Sequence, residues 1–398
     1  MIKSVYFFGL LSLLSIANFA QNRSIKFEHS SFKEIKEKAL KENKLIFIDA
    51  FTTWCGPCKQ MSKNIFTNDT VADYYNKNFV NAKIDMEKGE GVELAKQYDV
   101  RCYPNLLFVD GNGNLVHRIA GSMSVKEFVA LGEETKNPES CFSHYEKNYE
   151  KNKSNPSFLR KYIQARENTC LDADNLVRDY FSLQKQSDLV NKENWEMIQQ
   201  HTNSMTTDEY DFLIANKQKY DDLYTAKSVD EKLDDIHRNT LFAIIKAKPL
   251  DEKYYQEIKS KILTINTVGS KLVAFDADLR LARKKEDWAT FAKLAVENID
   301  KFYKDDVNTL NSIAWDFYEK VENKNALSKA EEWAMRACEI ESSYANLDTY
   351  ASVLYKLGKK QQALDVANKA IDAAKKDKLA SSDYQGTIDL LKKIKELK

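Results

Sequence analysis

The tightest constraint on this fold is a short run where an apolar strand pattern meets two closely spaced cysteines. Leu45-Ile46-Phe47-Ile48-Asp49-Ala50-Phe51 is almost continuously apolar, the pattern of a central strand buried on both faces. Trp54-Cys55-Gly56-Pro57-Cys58-Lys59 follows at once and opens a helical pattern. Two cysteines separated by two residues can close a small ring and open it again. At a helix start, free N–H groups and the positive end of the dipole stabilise a thiolate on the first of them. Half a zinc site would also supply such a pair. A closed zinc site needs four ligands, and no second Cys or His pair with ligand spacing exists. Cys102, Cys141, Cys170 and Cys338 are isolated, and the five histidines are dispersed. The strand–motif–helix context therefore reads as a redox pair. No metal is expected, and no cofactor beyond a redox-active Cys55–Cys58 disulfide.

A chain of 398 residues predicts two or three domains. Lys+Arg and Asp+Glu are both 60, a balance that gives nucleic acid or an anionic membrane no pull as a partner. The first twenty residues stand apart. Lys3 gives a short basic start, Val5 to Ala17 is apolar, and the small residues Ser15, Ala17 and Ala20 follow. This pattern predicts a secretory signal over residues 1–20, with an apolar run too short to span a membrane. Export would place all six cysteines in an oxidising compartment.

Turn residues are concentrated at the front. Eight of the eleven Gly lie before residue 140, and Pro249 is the one Pro after Pro156. A mixed α/β domain is therefore expected ahead of an all-helical region. Ser31 and Glu34 predict a capping box for a helix through Leu40. Phe79 to Asp85 predicts a second strand, parallel to the first across a helical crossover. Val92 to Tyr98 predicts a short helix. Asp110-Gly111-Asn112-Gly113 predicts a hairpin turn between Asn105–Asp110 and Leu115–Ala120. Ser124 and Glu127 cap a last helix.

This order, with a Cys-x-x-Cys in the first strand-to-helix turn, resembles the thioredoxin family over roughly residues 28–136. Trp54-Cys55-Gly56-Pro57-Cys58-Lys59 matches the family's active site residue for residue. Asp49 falls on the family's buried acid. Pro104, after Val100-Arg101-Cys102-Tyr103, falls on its cis-proline. Met61 to Val71 is similar to exported bacterial thioredoxin-like and thiol–disulfide interchange proteins. The resemblance implies a thioredoxin fold over residues 24–136, in a periplasmic protein. It implies Cys55 as an exposed nucleophile and Cys58 as the resolving thiol, with Pro57 stiffening the ring. Asp49 would take a proton from Cys58, and Lys83 is a candidate partner for Asp49. Trp54, Gly56, Pro57 and Tyr103, beside Pro104, would contact substrate. Cys102 is either an inert small residue or a third redox-active thiol. The Gly-Pro spacer resembles the reducing members. A reductase or isomerase acting on protein disulfides is thus expected, kept reduced by a membrane electron donor.

Behind this domain, Asn137-Pro138 and Asn155-Pro156 bracket a polar stretch read as a linker, 137–157. Helical periodicity then recurs over 158–270. From 271 to 398 the chain repeats itself. Leu310, Ala314 and Tyr318 align with Leu347, Ala351 and Tyr355, and Ala330 and Ala337 with Ala363 and Ala370. Small residues at such positions let paired helices approach closely. The pattern resembles tetratricopeptide repeats, with pairs at about 307–341 and 344–376 and a surface suited to peptides. Cys141 and Cys170 are candidates for a structural disulfide. The alternative to an oxidoreductase is a helical-repeat binding scaffold whose thioredoxin domain mainly docks partners.

Overall fold

The computed structural model describes residues 23–396, so the signal read over 1–20 lies outside the described residues. The chain divides into two units, with the boundary between Lys185 and Gln186.

In the first unit a five-stranded mixed sheet has the order β1-β3-β2-β4-β5. Its strands are β1 (Phe27–Glu28), β2 (Leu45–Phe51), β3 (Phe79–Asp85), β4 (Asn105–Val109) and β5 (Leu115–Ala120). β1 and β2 both pair parallel with β3, while β4 is antiparallel to β2 and to β5. The inner place of β2 explains its apolar run: Ile46 to Ala50 are all buried. Helices α1 (Phe32–Glu42), α2 (Gly56–Gln60), α3 (Asp69–Asn78), α4 (Gly91–Gln97) and α5 (Val125–Glu134) accompany the sheet. Both capping boxes form, at Ser31 with Glu34 and at Ser124 with Glu127. α2 runs on through a π-turn, Met61–Ile65, a widening that is common at functional sites. One core cluster gathers Phe47, Phe66, Tyr75, Phe108 and Phe128 on one side of the sheet. Ile46, Ile48, Val80 and Leu107 build a second cluster, as the period-two alternation of β2 requires.

The expected linker is corrected. Phe142–Asn152 is a helix, α6, followed by α7 (Pro156–Glu167) and α8 (Asp174–Ser182). Phe142, Tyr145 and Tyr149 lie three and four residues apart, so they share one face. The charged residues between them give the stretch its linker-like polarity. Phe142 is buried, and its N–H donates to His117 Nδ1 on β5 at 3.1 Å. These helices group with the sheet, not with the rear of the chain.

The second unit is helical throughout its described length. Its helices include the successive pairs Val268–Lys284 with Trp288–Phe302, Val307–Lys320 with Lys324–Ile340, and Tyr344–Lys356 with Lys360–Lys376. Ala314, Ala330, Ala337, Ala351, Ala363 and Ala370 are fully buried within these pairs. Phe291, Phe317 and Trp333 fill the core beside the alanines of the middle pair. Among the described residues no helix is long and apolar enough to cross a membrane.

Candidate active site

Cys55 and Cys58 are joined as a disulfide. Cys55 caps α2, and its Sγ accepts from the Cys58 N–H at 3.1 Å. Pro57 stands in the first turn, where the N–H it lacks would have no helical partner. A thiolate formed on Cys55 would keep that donor and the helix dipole. The expectation that Cys55 is the exposed sulfur does not hold in the closed ring. Cys55 is 3% exposed and Cys58 2%. Trp54 takes the exposed position at 64%. Its indole N–H donates to Glu87 at 3.0 Å, and its ring meets Tyr103 edge-on at 5.9 Å.

Tyr103-Pro104 is a cis peptide, and the Pro104 carbonyl accepts from the Gly121 N–H at 2.9 Å. Gly56 has open space around it. Trp54, Tyr103 and the Cys55–Cys58 ring are thus brought to one face.

Asp49 has no exposed surface. The parallel register sets it directly opposite Lys83, and Lys83 Nζ donates to its Oδ2. Its other oxygen has no hydrogen-bond partner among the described residues. Burial pushes the carboxyl up, against the lowering pull of Lys83. Lys83 also donates to Ser62 Oγ at 2.7 Å, and Ser62 donates to the Cys58 carbonyl at 2.9 Å. A chain of polar contacts therefore runs from Asp49 through Lys83 and Ser62 to the residue bearing the second sulfur. Phe51 lies under Lys83, 4.5 Å from its ammonium to the ring centre. Cys58, Ser62, Lys83 and Thr52 line a cavity of about 460 Å³. An acid that burial holds toward its neutral form can take up a proton at the pH where a thiol gives one up.

Cys102 is not a free thiol. It is bonded to Cys170, and Cys141 is a free, buried thiol, so the Cys141–Cys170 pairing is corrected. The turn after α7 brings Cys170 to the edge of the sheet, where the Ala120 N–H donates to the Asn168 carbonyl at 2.8 Å. That meeting spans 68 residues, and no local pattern announces it. Sequence reasoning also missed Ser62 and Glu87. Ser62 stands one helical turn after Cys58, a spacing that was legible, but its partner Lys83 comes from another strand. Among the described residues no cluster of three or more His, Cys, Asp or Glu is placed to hold a metal.

Curated relatives match part of this chain. Thioredoxin-1 of Drosophila melanogaster is 39% identical over 74 residues, 19% of this chain and 64% of that protein. Thiol:disulfide interchange protein DsbD of Colwellia psychrerythraea is 30% identical over 117 residues, 26% of this chain and 19% of that protein. The chain thus spans less than two thirds of the length of the first curated relatives it matches. A solved Bacteroides thetaiotaomicron protein, provisionally named a disulphide-isomerase, is 48% identical; the match covers 30% of this chain and 98% of that one, with a TM-score of 0.28. The family model described as a thioredoxin-like domain matches residues 32–136. With the sheet order and the paired cysteines above, this segment of the chain is a thioredoxin-like domain.

Proposed function

We propose that the chain is an exported thiol–disulfide oxidoreductase, a reductase or isomerase of protein disulfides working through Cys55 and Cys58. The observation that carries this reading is the Cys55–Cys58 pair at the start of α2, with the Cys58 N–H on Cys55 Sγ and a fully buried Asp49 on the adjoining strand. In the reduced protein the Cys55 thiolate attacks a substrate disulfide. The Cys55–sulfur bond forms, the substrate bond breaks, and the leaving thiolate takes a proton from solvent. Cys58 then gives its proton to Asp49 and attacks Cys55 Sγ. The second substrate sulfur leaves, and two electrons have passed from the Cys55–Cys58 dithiol to the substrate. Lys83 and Ser62 hold the carboxylate and the Cys58 turn in place. Trp54, Tyr103 and Pro104 are the surface on which an extended peptide lies beside the sulfurs. A dithiol donor, proposed to be a membrane protein, returns the electrons.

Export is supported by the apolar, small-residue pattern of residues 1–20 and by the Cys102–Cys170 disulfide, a bond that persists in oxidising compartments. The name and 30% identity of the interchange protein support exchange with protein disulfides. The paired helices of the second unit, read as tetratricopeptide-like repeats, are proposed to hold extended segments of a protein partner.

Reduction of insulin disulfides tests the reading. The wild type should turn over and Cys55→Ser should be inactive. Equal activity in both would remove the catalytic assignment and leave the scaffold reading, in which the domain docks partners without turnover.

A further inference from the structure

The chemistry above makes no use of Cys102–Cys170. Cys102 stands two residues before Pro104, and Tyr103 between them packs against Trp54. Cys170 ends α7 in a left-handed conformation, φ +58°. The Leu171 N–H donates to the Arg166 carbonyl and the Cys170 N–H to that of Glu167, which is the helix-ending arrangement that favours glycine at this residue. A cysteine stands there against the local backbone preference, and what it makes in return is the bond to Cys102. Cys170 is exposed at the surface. The α6 anchor at His117 and Phe142 is separate from this turn, so opening the disulfide need not release the helices.

We propose that Cys102–Cys170 is a second exchangeable disulfide, an accessory redox site at the rim of the substrate platform, and that its co-substrate is a dithiol. A donor thiolate attacks Cys170 Sγ and forms a mixed disulfide, while the Cys102–Cys170 bond breaks and Cys102 leaves as a thiolate. The donor's second thiolate then attacks its own sulfur in the mixed disulfide and releases Cys170. The donor ends as a disulfide; two electrons and, after proton uptake from solvent, two protons reside on Cys102 and Cys170. Reduction unties residues 168–173 from Cys102 and changes the approach to Tyr103-Pro104. This site does not depend on Cys55 and Cys58 being catalytic, and the test is built to keep the two apart.

The full-length Cys55→Ser/Cys58→Ser variant is equilibrated with graded dithiothreitol, alkylated without denaturant, and its labelled cysteines are located by mass spectrometry. Labelling of both Cys102 and Cys170 is expected while the circular dichroism of the folded protein is unchanged. Hydrogen exchange should rise at residues 166–173 and 101–104 and stay constant in the rest of the first unit. Labelling only after denaturant is added, or loss of protection throughout that unit, would make the bond a structural staple and overturn the proposal. A Cys102→Ser/Cys170→Ser variant should show the exchange pattern of the reduced protein. A pattern like that of the oxidised protein, or failure to fold, would also count against it.

Discussion

Both units bury ionisable side chains, and among the described residues only the sheet unit links such a group, through polar contacts, to a cysteine pair. In the helical unit, Lys232 and His237 lie inside the helix Ala226–Lys246. Burial pushes the Lys232 ammonium down and the His237 imidazole down to about 4. Lys232 Nζ ends on the Gln199 carbonyl at 2.9 Å, and His237 Nε2 meets the Tyr210 hydroxyl at 3.0 Å. These contacts join helix to helix. In the sheet unit, Asp49 is equally buried, but the polar contacts it starts lead to Cys58 and to a cavity that Cys58 lines. Burial displaces protonation equilibria in both places. A displaced group points to chemistry where a nucleophile and an access route share its surroundings.

Neutralising Asp49 should separate the two units most strongly. Asp49→Asn keeps the shape and removes the charge. If Asp49 takes the Cys58 proton, insulin reduction should fall about 100-fold or more, and the rise of rate with pH through the raised Asp49 pKa should disappear. The sign for stability is opposite. A carboxyl whose folded pKa is raised stabilises the fold below its ordinary range and loses that contribution as pH rises through the folded value. The wild type should therefore lose stability from about pH 4 upward on this account, and Asp49→Asn should unfold at higher urea than wild type at pH 8. Unchanged turnover and an unchanged pH profile in Asp49→Asn would detach Asp49 from the reaction.

The histidines come next. His117 in the sheet unit is pushed down to about 4 by burial, like His237. Glu134 stands 3.6 Å from His117 Nε2 but is 55% exposed, so water screens it and burial prevails. Both imidazoles are neutral in the fold, while the unfolded chain charges them below about pH 6.5. Their contribution is thus complete above pH 6.5 and is lost as pH falls toward 4, on the order of 3 kcal/mol for each. Hydrogen exchange at pH 7 and pH 4.5, corrected for intrinsic rates, should show lost protection around β5 and α6 and around residues 208–246. Loss in one unit alone would show that burial of the two rings is not equivalent.

How much of this was legible in the sequence depends on how far apart the interacting residues lie. The strands Leu45–Phe51, Phe79–Asp85 and Leu115–Ala120 and both Ser–Glu caps follow from patterns within a few residues. Asp49 and Lys83 were candidates, but their contact needs the strand register, which a sequence does not state. β1 has two residues, too few for any periodicity. α6 was hidden by charged residues between its aromatics. The Cys102–Cys170 bond depends on a turn folding back over 68 residues, and the covering of Cys55 depends on tertiary packing that the motif itself does not state.

Packing distinguishes the units at a smaller scale. Ala337 is fully buried between helices whose closeness depends on its size. Ala337→Leu should overpack that contact and cost about 1–3 kcal/mol in the helical unit, measured by urea unfolding. Insulin turnover should stay at the wild-type level, because the substitution lies in the other unit. A parallel loss of turnover would show that the redox chemistry depends on the helical unit.

The smallest expected difference is between two helix starts. Ser124 accepts from the Glu127 N–H, and Glu127 accepts from the Ser124 N–H at 2.8 Å. Asn323, in the helical unit, accepts from the Ala326 N–H at 3.1 Å and caps its helix by that side-chain bond. Either residue replaced by Ala leaves an N–H of the first turn without its side-chain partner, at a cost of about 1 kcal/mol. Ser124→Ala should be the more damaging of the two, because the Glu127 carboxylate is also held by the Ser124 hydroxyl and loses that anchor with it. Both helix starts are open enough for water to replace part of what is lost, which keeps the effect small. Thermal unfolding of the two variants, compared by hydrogen exchange at residues 125–128 and 324–327, measures the difference; a larger loss at Asn323 would show that local capping counts for more where helices have no sheet to pack on.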